Sequence, residues 1–269
     1  MTSERDLLSS FCRLSRNGLS SRREQSCAGS YTRNRLKSGD CLPVSDLVLQ
    51  HSREGWPFAD ENRDLIRSQW SNAIRSNPRI FNGTIFPLLD HDVRDGVFFG
   101  DYAKSDFASY LYWRENGFCD PPTCDGFASV LLRSREGRYL FATAAQYTLN
   151  AGLLVPPGGM IDERDFADDG CIDAWQYGLR ELREETGLSS NDVSIEPGFK
   201  VMRDGALIAF GLFCQSSMSE REINERFLHH NRSSSDIPEL DAISWLSSEQ
   251  AQRSSLVPRF VNLLLSACP

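Results

Sequence analysis

A short acidic segment constrains what this chain can fold into more than any other feature. It reads Arg180-Glu181-Leu182-Arg183-Glu184-Glu185-Thr186-Gly187-Leu188. Side chains three and four residues apart are neighbours on a helix, so Glu181, Glu184 and Glu185 would face one region of space. Like charges at these spacings repel each other. A bound divalent cation removes that cost, and Mg²⁺ prefers carboxylates together with water and phosphate oxygens.

The residues upstream give the acidic segment its setting. An apolar run, Leu153-Leu154-Val155, leads into Pro156-Pro157-Gly158-Gly159, a turn that lets the backbone approach a ligand closely. The predicted order is a strand, a glycine turn, an acidic helix over 173–186 and a glycine cap at Gly187. A solvated acidic helix face is the alternative, since it is the usual meaning of a charge run. The glycine turn favours a ligand site.

In these residues the chain resembles the Nudix hydrolases. The box of that family reads Gly, five residues, Glu, seven residues, and then Arg-Glu-aliphatic-any-Glu-Glu-any-Gly-aliphatic. Residues 180–188 match every defined position of the second half. The match makes membership of this family the leading interpretation of the chain, over about residues 125–250.

The first half of the box departs from the family pattern. Gly159 precedes Arg180 by 21 positions where the family has 14, so roughly seven residues are inserted. The residue eight places before Arg180 is Ile172 rather than Glu. Asp173 stands one place further on and is a candidate replacement. Two more acidic residues, Asp162 and Glu163, lie just after the glycines.

The resemblance implies a fold, a reaction and a set of site residues. The fold is an α/β/α sandwich with a mixed sheet, preceded by a small α+β accessory region. The reaction is Mg²⁺- or Mn²⁺-dependent hydrolysis of a pyrophosphate bond. The catalytic residues would be Arg180, Glu181, Glu184 and Glu185. The metal ligands would be the same three glutamates and the carbonyl of Gly159. Arg180 would orient a carboxylate through a bidentate pair, and a later acidic residue could act as general base: Asp236, Glu239 or Asp241.

The substrate is expected to be a nucleoside diphosphate joined to another moiety. The N-terminal block is loosely similar to a branch that acts on UDP-sugars, and the lengthened loop is similar to coenzyme A diphosphatases; an ADP-ribose-like compound is a third option. Arginines that could contact phosphates are Arg79, Arg133 and Arg203, and also Arg94, although a lone arginine is more often solvated. Two other functions stay open, a catalytically weakened nucleotide sensor and an RNA-cap hydrolase.

The remainder of the chain divides by composition into three parts. Residues 1–45 are rich in Ser and Arg and are predicted to be a disordered tail, with a transit peptide as the alternative. Residues 46–124 form an accessory block with helices predicted over 61–76 and, capped by Ser105, over 106–114. Residues 125–269 form the predicted catalytic body. Its strands are expected at 127–133, 139–145, 206–214 and 242–246, and a capping box at Ser219 begins a helix to 230.

Composition narrows the compartment and the partners. The net charge is −8, which argues against a nucleic-acid partner because such proteins carry a basic surface. No apolar run approaches the ~20 residues that cross a bilayer, so no membrane association is expected. The eight cysteines contain no CxxC pair and are interpreted as thiols of a cytoplasmic protein. A homodimer is left open.

Overall fold

A computed structural model describes residues 33–234 and 237–266. Its strands, in chain order, are β1 Cys41–Val44, β2 Asp46–His51, β3 Thr84–Ile85, β4 Leu88–Arg94, β5 Val97–Tyr102, β6 Ser105–Asp106, β7 Asp125–Arg133, β8 Tyr139–Ala144, β9 Leu154–Val155, β10 Cys171–Ile172, β11 Ser194–Ile195, β12 Phe199–Asp204, β13 Leu207–Gln215 and β14 Leu240–Leu246. Its helices are α1 Pro57–Glu61, α2 Arg63–Ser76, α3 Phe107–Glu115, α4 Ala174–Thr186, α5 Glu220–Ser233, α6 Ser248–Arg253 and α7 Arg259–Ser266.

The central sheet is mixed, as the sequence predicted. Its strand order is β1-β12-β13-β7-β8-β14, and β9 and β11 pair with β8 and β13 outside that path. Strands β13 and β7 run parallel over their whole length, from Leu207 opposite Asp125 to Gln215 opposite Arg133. The neighbouring pairs in the sheet are antiparallel.

Helices cover both faces of this sheet. Successive residues of a strand point to opposite faces, so Val130 and Leu132 pack with Leu182 of α4 and Ile223 of α5. Leu131, between them in the sequence, packs with α6 and α7 on the other face. The predicted α/β/α sandwich is therefore confirmed.

A second sheet joins the accessory region to the box. Its order is β10-β2-β5-β4, and β2 and β5 are parallel. Strand β10 comes from the stretch between the glycine turn and the acidic helix, with Ile172 opposite Leu49. The same buried cluster contains residues from both sides of the expected boundary at 124/125, such as Phe98 and Phe210, whose rings meet edge to face at 5.2 Å. The described residues from Asn34 onward form one compact unit.

Part of the segment expected to be disordered is ordered. Strand β1 pairs with β12, and the backbone N–H of Leu36 donates to Nε2 of His91 at 3.1 Å. The N–H of Gly39 donates to the carbonyl of Arg203 at 2.8 Å. These hydrogen bonds correct the prediction for residues 34–44, because a polar segment can be ordered by a sheet edge that it completes. Residues 1–32, the rest of the predicted tail, lie outside the described part.

Two further sequence predictions need correction. Asp106, not Ser105, caps α3, since its carboxylate accepts the N–H of Ser109 at 2.8 Å. The predicted helix over 61–76 breaks at Asn62, and Ile66 is its only buried residue within α2. The strands β4, β5 and β12 were not predicted.

None of the described helices is long and apolar enough to cross a membrane. The cysteines Cys119, Cys124 and Cys214 are free thiols.

Candidate functional site

Helix α4 lies close against the sheet because it carries a glycine at the contact. A Cβ atom at Gly178 would stand 2.5 Å from Cδ2 of Leu212. Leu182, one turn further along the same stripe, is fully buried, and Gly187 ends the helix in the left-handed conformation at φ +73°. The buried stripe fixes the rotation of the helix, so its glutamates face the glycine turn.

Helix α4 begins at Asp173, which caps its N-terminus; the sequence had suggested Asp173 as a replacement for the missing glutamate of the box. The carboxylate of Asp173 accepts the N–H groups of Trp175 at 3.0 Å and Gln176 at 3.1 Å. These bonds satisfy two of the donors that a helix N-terminus leaves unpaired. Asp173 is therefore a helix cap, and the suggestion that it replaces the missing glutamate of the box is wrong.

The glycine turn is tied to strand β7 and to the acidic helix. Gly158 has φ +156°, and a Cβ atom there would stand 2.2 Å from the carbonyl oxygen of Ala128. Its N–H donates to Oε2 of Glu185 at 2.8 Å. A Cβ atom at Gly159 would lie 2.7 Å from Oε2 of Glu181. Both glycines are needed, because a side chain at Gly158 would meet strand β7 and one at Gly159 would meet Glu181.

The hydroxyl group of Tyr177 holds the glycine turn in place through hydrogen bonds. This fully buried tyrosine donates its hydroxyl hydrogen to the carbonyl of Gly159 and accepts the N–H of Ala128 at 3.0 Å. The N–H of Ala128 also reaches the carbonyl of Gly159, at 3.2 Å. The carbonyl predicted as a metal ligand thus accepts two hydrogen bonds within the protein.

Arg180 forms the bidentate pair expected of it, and its partner is Asp165. Its Nε and Nη2 donate to the two carboxylate oxygens of Asp165, each at 2.8 Å. The Asp165 side chain is 2% exposed and that of Arg180 is 14% exposed. Arg180 also contacts Glu181 at 2.7 Å and Glu184 at 2.8 Å. One guanidinium therefore orients three carboxylates, and their charges raise its pKa.

Asp165 is the site residue that the sequence analysis missed, although the sequence contains its signal. Five residues separate Gly159 from Asp165, which is the spacing of the family box with Asp in place of Glu. Counting back from Arg180 leads instead to Ile172, which is a buried residue of β10. The insertion lies after Asp165, where 14 residues precede Arg180 instead of seven.

The carboxylates of the site carry more negative charge than two arginines balance, since Glu184 pairs with Arg164 at 3.2 Å as well as with Arg180. Burial raises the pKa of Glu181 to about 7; Arg180 opposes this shift and the charge of Glu184 adds to it. Burial and the neighbouring charge of Glu181 raise the pKa of Glu185 well above its usual range. Removal from water and a carboxylate neighbour both disfavour the charged form.

A fifth carboxylate, from a later part of the chain, acts electrostatically on the cluster. Glu239 is one of the three later acids proposed as general base, and it adds its charge to Glu181 and Glu185. The surrounding protein and the charge of Glu184 raise its pKa, although its side chain still contacts solvent. Asp241 is exposed and contributes no resolved effect on these glutamates. Asp236 lies outside the described residues.

The glutamate oxygens of the site fit a hard divalent cation in their chemistry. In this structure they are bonded to groups of the protein itself. Within residues 33–234 and 237–266, no group of three His, Cys, Asp or Glu side chains already converges as a metal cage. The oxygens of Glu181, Glu184 and Glu185 are held by Arg180 and by the N–H of Gly158. Carboxylate oxygens with surplus negative charge are the ligands that Mg²⁺ and Mn²⁺ prefer.

The three arginines suggested for substrate contacts lie in different parts of the structure and have different partners. Arg133 pairs with Glu196 at 3.1 Å. Arg203 donates to the carbonyls of Leu36 at 2.7 Å and Gly205 at 2.8 Å, so it holds the N-terminal segment. Neither of them contacts the glutamates of α4 through any described hydrogen bond or ion pair. Arg79 is exposed; burial raises the pKa of Tyr147, and the charge of Arg79 opposes that shift.

Comparisons with known proteins give structural likenesses only. No family model and no curated protein matches the chain. An Ap4A hydrolase binary complex from C. elegans is 15% identical over 52% of this chain and 92% of that chain, with a TM-score of 0.37. MutT from Methanosarcina mazei Go1 is 17% identical over 52% and 89%, with a TM-score of 0.34. The NUDIX domain of Shewanella oneidensis NrtR, complexed with ADP ribose, is 17% identical over 57% and 93%, with a TM-score of 0.35.

Proposed function

We propose that this chain is a divalent-metal-dependent diphosphatase that hydrolyses the pyrophosphate bond of a nucleoside diphosphate joined to another moiety. One observation carries the proposal: Glu181 and Glu185 lie under a two-glycine turn with raised pKa values, and Arg180 is the arginine that pairs with Glu181. A site of this kind is costly without a cation. A cation bound there would meet an anionic diphosphate at a place where the backbone leaves room for it.

Glu181, Glu184 and Glu185 would hold Mg²⁺ or Mn²⁺. When bound, such an ion neutralises phosphoryl oxygens and lowers the pKa of a water molecule. Arg180 would keep the glutamates in place through its pair with Asp165. Glu239 would accept the proton of the attacking water, because a carboxylate with a raised pKa is a better base near neutral pH.

The carboxylate at position 165 favours an enzyme over a sensor. The departure at Ile172 was the sequence feature in favour of a catalytically weakened module. Asp165 occupies the spacing of the box glutamate and pairs with Arg180, so the charged framework is complete. Within the proposal, the other moiety is a sugar, an ADP-ribose-like group or a coenzyme A-like group. A cytoplasmic location and a homodimer are part of the same proposal.

The test is a phosphate-release assay with Mg²⁺ and with Mn²⁺. The panel contains UDP-glucose, ADP-ribose, NADH, coenzyme A, diadenosine polyphosphates and capped RNA. We expect metal-dependent turnover of a small diphosphate, reduced on the order of 10²-fold or more by Glu185→Gln. Arg133→Ala serves as the matched surface variant and should retain activity. Tight binding of a panel compound without turnover would overturn the catalytic claim in favour of a sensor, and turnover of capped RNA alone would favour the cap hydrolase.

A further inference from the structure

A cavity in the accessory region has a lining that the proposed reaction does not use. Its volume is about 420 Å³, within the size range of small-molecule sites. It lies between α1, α2 and the beginning of α3, and its lining includes Trp56, Arg63, Ile66, Arg67, Trp70 and Lys104. The glutamates of α4 are not part of its lining.

One face of α2 supplies two cations and a ring to this cavity. Arg63, Ile66, Arg67 and Trp70 stand at i, i+3, i+4 and i+7, which places them on a single helix face. The inward face of an amphipathic helix normally carries apolar residues. Here two exposed arginines flank Ile66 and Trp70 on that face, so their charges are open to an anion in the cavity.

The cations of the cavity have only weak partners. Arg67 stands 3.4 Å from Asp64, and both side chains are exposed. Arg63 pairs with the equally exposed Asp60, and Lys104, across the cavity, pairs with exposed Glu163. Exposed pairs of this kind contribute little stability, so a ligand phosphate could replace each acidic partner.

Two aspartates also line the cavity, and both already have partners. Asp60 pairs with Arg63, and Oδ1 of Asp106 accepts both the N–H and the hydroxyl of Ser109, each at 2.8 Å. In a protein with a net charge of −8, the lining carries three cationic side chains against these two aspartates, a small local excess of positive charge. Such an excess favours anionic ligands.

The aromatic residues indicate what is attached to the anion. The Trp70 ring lines the cavity and meets Phe107 edge to face at 6.2 Å. Trp56 lies at the cavity floor, where its ring is 2% exposed and its Nε1 donates to Asp120 at 2.7 Å. Indole rings bind flat ring systems by stacking. We propose that this cavity binds a nucleoside monophosphate, with Arg63, Arg67 and Lys104 on the phosphate and Trp70 on the base.

Calorimetric titration of the full-length chain in metal-free buffer tests this site apart from the reaction. The probes are UMP, AMP, uridine and inorganic phosphate. We expect saturable binding of a monophosphate at one site per chain, weakened at least about tenfold by Arg67→Ala and by Lys104→Ala. Arg75→Ala, on the same helix but outside the cavity lining, should change the affinity less than about twofold. Trp70→Phe should keep the fold and weaken the nucleotide more than it weakens inorganic phosphate.

Several results would overturn the proposal. Absence of saturable nucleotide binding would do so, as would an equal loss in Arg75→Ala, which would indicate unspecific charge attraction. If inorganic phosphate binds as tightly as UMP and AMP, Trp70 does not bind the base. If uridine binds as tightly as UMP, the cations do not bind the phosphate. Glu185→Gln must leave the affinity unchanged, because a loss would place the ligand at the carboxylates of α4. Since no turnover is measured, failure of the proposed reaction leaves this result intact.

Discussion

Helices α4 and α2 have similar apolar patterns and different surroundings. Helix α4 buries Leu182 completely against the central sheet, where it packs with Val130 and Leu132. Helix α2 places Leu65 at 56% exposure and Ile74 at 39%. Periodicity shows which residues share a helix face, but only the partner determines whether that face is buried. The central sheet buries that face of α4, whereas α2 lies against α3 and the cavity, so Leu65 and Ile74 stay exposed.

Leu182 in α4 and Leu65 in α2 provide a matched pair of substitutions that tests this difference in burial. Leu182→Ala should lower the free energy of unfolding by about 2–5 kcal/mol, because it leaves a cavity between helix and sheet. Leu65→Ala should change it by less than about 0.5 kcal/mol, because that side chain already contacts water. Chemical denaturation of the two variants, followed by circular dichroism, gives both values. Equal losses would show that α2 packs more tightly than its exposed leucine indicates.

A second pair tests the acidic partners of the arginines. Asp165→Asn should lower kcat on the order of 10–100-fold, because Arg180 loses the anchor that positions Glu181 and Glu184. Asp64→Asn, which removes the exposed partner of Arg67, should leave kcat unchanged. Steady-state kinetics on the compound that turns over, with a melting curve for each variant, separates catalysis from unfolding. An unaltered kcat in folded Asp165→Asn would refute the positioning role of this aspartate.

The sequence predicted the elements that carry a local signal. The N-termini of the acidic helix and of the helix capped by Ser219 lie within one residue of their predicted positions, and Gly187 ends the acidic helix as predicted. These features depend on neighbouring residues, which a sequence displays directly. Asp106 shows the limit, because it competes with Ser105 for the same cap and only the backbone geometry decides between them.

The remainder depended on contacts between distant residues. Strands β4 and β5 contain charged and aromatic residues, such as Asp92 and Phe99, that obscure the alternation of a half-buried sheet. Glu239 reaches the carboxylate cluster from 54 positions after Glu185, a proximity created by pairing of β14 with β8. Asp165 does have a local signal, which is its spacing from Gly159. Counting back from Arg180 does not find it, because the inserted residues lie between Asp165 and Arg180.

The pH dependence of stability should also distinguish α4 from α2, because α4 brings together buried carboxylates that repel each other. Burial raises the pKa of Glu181 from 4.5 to about 7, so the folded protein binds a proton more tightly than the unfolded chain. The resulting stabilisation is complete below pH 4.5 and is lost as pH rises through about 7. It amounts to roughly 1–3 kcal/mol. Metal-free melting curves between pH 5 and 8 should therefore show falling stability, and Glu181→Gln should flatten the decline.

The smallest effect is expected at an arginine remote from both helices. Arg133 could contact a phosphate if position on the catalytic body were sufficient, yet its guanidinium pairs with Glu196 at the end of β7. Arg133→Ala should therefore change kcat/KM by less than about twofold and the free energy of unfolding by less than about 1 kcal/mol. Initial rates at low substrate concentration measure the first value. A tenfold fall in kcat/KM with unaltered stability would mean that substrate extends from the glutamates of α4 along the sheet to Arg133, and Glu196 would then be the residue it displaces.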